Sequence, residues 1–140
     1  DGSRKMSKSE LSDLSRINLT DDADEIINKI KKAKTDTLPL PSTIEELEKR
    51  PEARNLIGIY SSLTNNTFQK SIDEFAGKNF SEFKEKLSEI VVNEINPISL
   101  KIKELLDDKA YLEKILEHGY DKANEIASKK IKKIHEIVGF

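Results

Sequence analysis

From Phe80 to Leu105 the apolar residues Phe80, Phe83, Leu87, Ile90, Val91, Ile95, Ile98, Ile102 and Leu105 recur every three or four positions. That is the spacing of one stripe on an α-helix and not the alternation of a strand. A chain with so long a helical period is committed to packing helices on helices. Just upstream, Asn79 to Glu82 has the form of a capping box. Pro97 lies inside the period and removes the hydrogen bond to the carbonyl of Asn93, so a kink is expected there.

The remaining sequence reads as shorter helices of the same kind. Thr20 or Asp21 is read as the cap of a first helix, with Ala23, Ile26, Ile27, Ile30 and Ala33 on its inner stripe. Acids open this helix and lysines close it, as helix electrostatics favours. Lys34, Thr35 and Asp36 stand apart as residues that this polarity alone does not cover, and Thr35-Asp36 beyond the helix end are candidates to hold a joint between two domains. Thr37 to Ser42, with Leu38-Pro39-Leu40-Pro41, is an extended linker whose leucines are expected to tuck into the core. A short helix follows over Thr43 to Lys49, and Pro51 opens the next, from Glu52 to about Leu63. On it Ala53, Leu56, Ile57, Tyr60 and Leu63 face inward, and Asn55 is expected to satisfy backbone groups. Thr67 to Phe75 forms a short helix stopping near Gly77. Asp107 or Asp108 caps a helix with Leu112, Ile115 and Leu116 inward. Gly119 weakens it, and a last helix runs from about Tyr120 to Val138, with Ala123, Ile126, Ala127, Ile131, Ile134 and Val138 on one face. The fold class is all-α, a helical bundle, with no stretch that reads as sheet.

Charge limits the functions such a bundle can have. Hydrophobic and charged residues are each 36% of the chain, so the outer helix faces must be rich in ion pairs. The net charge is −2, and any contact with nucleic acid must therefore come from local segregation of charge. Segregation is present: Glu104 to Asp121 carries six acids against two lysines, and Lys122 to Phe140 carries five lysines against two acids. Lys129, Lys130, Lys132 and Lys133 are the candidate phosphate contacts. The competing reading is a solvated helix face. With no cysteine, disulfides and thiolate metal sites are excluded. His118 and His135 are too far apart for a local metal motif, and no metal site is expected. No apolar run reaches the length of a membrane span, and the chain reads as cytoplasmic, with no membrane partner.

Chemistry is concentrated near the start, in Lys5-Met6-Ser7-Lys8-Ser9. Two ammonium groups three residues apart, flanked by hydroxyls, can wrap a polyphosphate, and the core gains nothing from them. Lysine suits a polyphosphate because its compact charge rides on a flexible stem. This K-M-S-K-S string is a signature of class I aminoacyl-tRNA synthetases. Asn18 to Asp36, Pro51 to Tyr60 and Gly119 to Phe140 resemble the bacterial tryptophanyl-tRNA synthetases of that class.

The resemblance implies a C-terminal fragment of such an enzyme. Residues 1–20 would be the phosphate loop and its connector, and residues 21–140 a helical anticodon-binding domain; the Rossmann-like catalytic domain would be absent. It assigns Lys8 and Lys5 as catalytic, with Lys5, Met6, Ser7, Lys8 and Ser9 on ATP and Met6 as the apolar peg of the loop. It implies ATP with Mg²⁺ as a substrate and no tightly bound cofactor in the fragment. The implied partners are tRNA(Trp), tryptophan through the missing domain, and a second copy in a homodimer. Alone, the fragment is expected to be inactive. One departure is that Glu10-Leu11 stands where the family usually has Asp-Pro. The alternative from another class is a non-catalytic helical interaction module whose Lys/Ser head is merely a tail.

Overall fold

A computed structural model of the chain describes residues 10–139. Among them the regular elements are a single 3-10 turn, Asp13–Ser15, and helices α1 (Ala23–Lys32), α2 (Ile44–Glu48), α3 (Pro51–Thr64), α4 (Phe68–Phe75), α5 (Phe80–Asp107) and α6 (Lys109–Val138). The described residues divide into two compact units, one ending at Leu100 and the other beginning at Lys101.

In the first unit the core forms where the apolar stripes of α1, α3, α4 and α5 converge. Ile26 and Ile30 of α1, Leu56, Ile57 and Tyr60 of α3, Ile72 and Phe75 of α4, and Phe83, Leu87 and Val91 of α5 are all buried. Tyr60, Phe75 and Phe83 supply the aromatic centre. Phe75 meets both Tyr60 and Phe83 edge to face, with ring centroids 4.9 Å apart in each pair. That geometry sets the positive edge of one ring against the negative face of the next. The Tyr60 hydroxyl donates to Glu74 at 2.9 Å. Burial first, and the neighbouring carboxylate second, push its phenol up to about 12.

The caps differ from the sequence reading in detail. Neither Thr20 nor Asp21 caps α1: Asp22 does, in a full capping box with Glu25, and Asp21 is buried elsewhere. At α5 the box is half formed. Asn79 accepts from the Glu82 amide at 2.8 Å, while the Glu82 carboxylate pairs with Lys78 at 2.9 Å. Thr43 caps α2 and Thr67 caps α4, each accepting from an amide of the first turn, and Pro51 opens α3 as its spacing requires.

The linker is fastened at both edges. Leu40 is 2% exposed, and its amide and carbonyl pair with Lys78 and Gly77, which turns away from α4 at φ +72°. Leu38 remains exposed, so only one of the two leucines reaches the core. Arg50 grips the linker from the end of α2. It donates through two nitrogens to Asp36, at 2.8 and 2.5 Å, and reaches the Pro39 carbonyl at 2.6 Å. The guanidinium holds the Asp36 carboxyl below its ordinary value. Lys34 also pairs with Glu52 at 3.1 Å, so Lys34 and Asp36 both fasten the end of α1 to the start of α3; these contacts lie within the helical region and do not bear on a joint between two domains.

Buried polar groups are all bonded: among the described residues no buried side-chain nitrogen or oxygen lacks a partner. Lys84 of α5 donates to the carbonyls of Lys31 and Ala33, at 3.0 and 2.6 Å, where α1 runs out of its own donors. The Ser61 hydroxyl donates to that of Ser71 at 2.8 Å, letting α3 and α4 approach over small side chains.

The helix α5 runs through Pro97 to Asp107 without interruption. Beyond it, the break expected at Gly119 is absent. Asp108 caps one helix of 30 residues that ends at Gly139 in the left-handed region. A lone glycine costs a helix about 1 kcal/mol, which neighbours on both sides tolerate when no cap or proline stops the chain. The apolar stripe of α6 is present in the sequence, but its residues are not buried. Ile115, Leu116, Ile126, Ile131, Ile134 and Val138 are each more than half exposed.

Candidate nucleic-acid interface

Lys5, Met6, Ser7, Lys8 and Ser9 lie outside the described residues. What the structure describes is the connector that leaves them, and how it is tied down. Asp13, on the 3-10 turn, and Asp21, before α1, both accept from the Lys29 ammonium, at 2.5 and 2.6 Å. Asn18 completes the ring, donating its amide nitrogens to Asp21 and Asp13. Lys29 and Asp21 are buried, whereas Asp13 keeps half its side chain in water and also takes Arg16 at 2.8 Å.

The charges answer this geometry. Burial alone would push the Asp21 carboxyl up, but the bonds from Lys29 and Asn18 outweigh it and hold the group below its usual value. Asp13 is lowered chiefly by the Lys29 hydrogen bond. For Lys29, burial works against the charged form, and the two carboxylates overcome it and raise the ammonium. Further along, the Ser99 hydroxyl donates to the Thr20 carbonyl at 3.2 Å. The connector is thus anchored to both α1 and α5. Leu11, Leu14 and Leu19 stay exposed on it.

The candidate phosphate contacts Lys129, Lys130, Lys132 and Lys133 all lie exposed on α6. Lys129 is already paired with Glu125 at 2.6 Å. At 100° per residue, Lys129 and Lys133 share one side of the helix, and Lys130 lies on the apolar stripe instead. The patch is therefore a band around the helix rather than a single face.

A further feature was not legible as a site in the sequence. Arg54, Asn55, Gly58 and Ser62 of α3, with Phe68 at the start of α4, line a groove of about 420 Å³ open to solvent. The Phe68 ring lies across Gly58, where an added Cβ would sit 3.4 Å from the ring. Arg54 holds its guanidinium 5.9 Å from the ring centroid and pairs with Glu48 at 2.8 Å. Asn55, expected to satisfy backbone groups, is exposed, and its side chain makes no hydrogen bond among the described residues. The one available hint is that Phe68 belongs by spacing to the stripe of Ile72 and Phe75, yet stands in the first turn, where the stripe overruns the core.

Comparison with known proteins decides what kind of chain this is. The family model for class I tRNA synthetases (W and Y) matches residues 1–96. The chain belongs to that family. Its relatives include the tryptophan–tRNA ligases of Agrobacterium fabrum and Caulobacter vibrioides, each 49% identical over all 140 residues. That of Rhizobium meliloti is 46% identical over the same length. The chain spans about two-fifths of the length of these proteins, 40%, 41% and 40% respectively. Within the class I synthetase family, the resemblance read from the lysine loop and the downstream motifs is thereby established. The fold is helical throughout, with no strand among the described residues. No described helix is long and apolar enough to cross a membrane.

Proposed function

We propose that the chain is the C-terminal part of a tryptophan–tRNA ligase, comprising the phosphate loop, its connector over residues 1–20 and a helical tRNA-binding region over residues 21–140. The observation that carries this reading is the 45–49% identity to tryptophan–tRNA ligases along the whole chain. In the proposed reaction a carboxylate oxygen of tryptophan attacks the α-phosphorus of ATP, and the bond to pyrophosphate breaks. A ribose hydroxyl at the tRNA 3′ end then attacks the activated carbonyl and releases AMP.

Lys8 and Lys5 would stabilise the charge growing on the departing pyrophosphate, with Ser7 and Ser9 orienting the phosphates and Met6 seating the loop. Magnesium would travel on the nucleotide. Asp13 and Asp21 are committed to Lys29 and fit no role as its ligands, and the described residues hold no cluster of three metal-ligating side chains. The catalytic domain, the tryptophan pocket, the homodimer and a cytoplasmic location belong to this same proposal.

The test is tryptophan-dependent pyrophosphate exchange by the full-length enzyme with Lys8→Ala. The rate should fall about a hundredfold to a thousandfold, the usual effect of removing one preorganised charge partner, with tryptophan affinity little changed. Exchange at the wild-type rate would remove the loop from the mechanism. An interaction module with a lysine-rich tail would respond to neither Mg-ATP nor tRNA(Trp).

A further inference from the structure

The geometry points to the groove between Arg54 and Phe68 as a stacking site for one unpaired nucleobase of the tRNA. This rests on the tRNA-binding reading above and adds to it a place and a mode of contact. RNA single strands are recognised by splaying bases onto aromatic rings and guanidinium planes and by reading their edges with amides. Each of those parts stands in the groove.

Among the described residues of the first unit, Phe68 is the only large aromatic side chain with substantial exposure, at 38%. Its position in the first turn of α4 leaves the ring partly in solvent. The ring lies directly over the α3 backbone at Gly58, where an added Cβ would stand at ordinary contact distance, 3.4 Å, from its edge. The Arg54 guanidinium sits over the ring at 5.9 Å from its centroid, short of the about 7 Å that two stacked spacings need, so a base enters as Arg54 swings outward and then stacks on the ring. Asn55 lies on the same wall with both its donor and its acceptor unspent among the described residues. An amide can take up a base edge in two directions at once.

Charge favours RNA as the occupant over an apolar protein segment. Among the described residues the groove's only ionised group is Arg54, a half-exposed cation beside the apolar Ile59 and Leu63, and its present partner Glu48 is itself more than half exposed and readily released to water.

The experiment measures binding of the 140-residue chain to tRNA(Trp) and to its isolated anticodon stem-loop, over a series of salt concentrations, with loop bases replaced singly by 2-aminopurine. Phe68→Ala should weaken binding about fivefold to 150-fold, the range given by alanine substitution of one stacking ring, and leave the salt slope unchanged because no phosphate contact is lost. Phe68→Tyr should bind as wild type, and wild-type protein should change the fluorescence at one loop position in a way that Phe68→Ala does not. Equal RNA affinity for wild type and Phe68→Ala, the result expected if the groove met a protein instead, would overturn the site and leave tRNA binding standing. A changed salt slope, or no fluorescence change at any loop position, would also overturn it. Failure of the wild-type chain to bind either RNA would bring down the tRNA-binding reading as well.

Discussion

Helix polarity assigns Lys31, Lys32 and Lys34 to the negative end of α1 and gives Lys29 no role, but in the structure Lys29 is the buried one, shared by Asp13 and Asp21. Removing one partner of a buried pair leaves the other charge desolvated and unpaired, which costs about 3 kcal/mol. Lys29→Met should therefore lower the unfolding free energy at pH 7 by about that much, as urea melts would read it. The pH dependence has a definite sign. The Asp21 and Asp13 carboxyls sit below their usual values in the folded chain, so their contribution is present above about pH 4, the unfolded value, and is lost as pH falls through the lower folded values. The gap between wild type and Lys29→Met should thus shrink in acid. A gap of the same size at pH 7 and at pH 3 would show that Lys29 acts through packing alone. At the alkaline end the sign reverses: the Lys29 ammonium is raised, so its contribution persists through neutral pH and is lost only as pH rises through that raised value.

Among the elements, α6 separates two readings of one glycine. The sequence places a helix on each side of Gly119, whereas the structure carries one helix through it, with nothing within 4 Å of where its Cβ would stand. Gly119→Ala should then stabilise α6 locally by up to about 1 kcal/mol, the propensity difference in an exposed helix interior. Slower amide exchange from Ile115 to Ala123 would register it. Exchange that stays unchanged or quickens would mean that the chain needs a break at 119. Pro97 teaches a related lesson in α5, where one lost hydrogen bond sits in a helix whose N-terminal half is held by Phe83, Leu87 and Val91. Tertiary packing there outweighs a local penalty of about 3 kcal/mol.

Across the whole molecule, stability should be distributed as burial is. The first unit holds every fully buried side chain among the described residues, while α6 buries none. Native-state exchange should show the amides around Ile57 and Phe83 opening only with global unfolding, and those of α6 opening by helix–coil fluctuation at much lower free energy. Protection along α6 equal to that of Phe83 would contradict this. The same contrast bears on function, because the basic band Lys129 to Lys133 rides on the more labile element and the Phe68 groove on the more rigid one. A base read by stacking needs the rigid platform, whereas phosphate contacts tolerate motion.

By itself the sequence determined the class of fold, the positions of most helices, a cap at Asp107 or Asp108, the proline-opened α3 and, through its lysine loop and downstream motifs, the synthetase family. These are local or periodic properties, written in neighbours a few residues apart. Only the tertiary structure decided that Lys29 and Lys84 would be buried, that Asp36 would meet Arg50, that the Asn55 side chain would have no hydrogen bond among the described residues and that Phe68 would overhang Gly58. Those outcomes join residues from different elements. A charge or ring is assigned to core, latch or groove by what the fold brings beside it, and one-dimensional spacing does not carry that information.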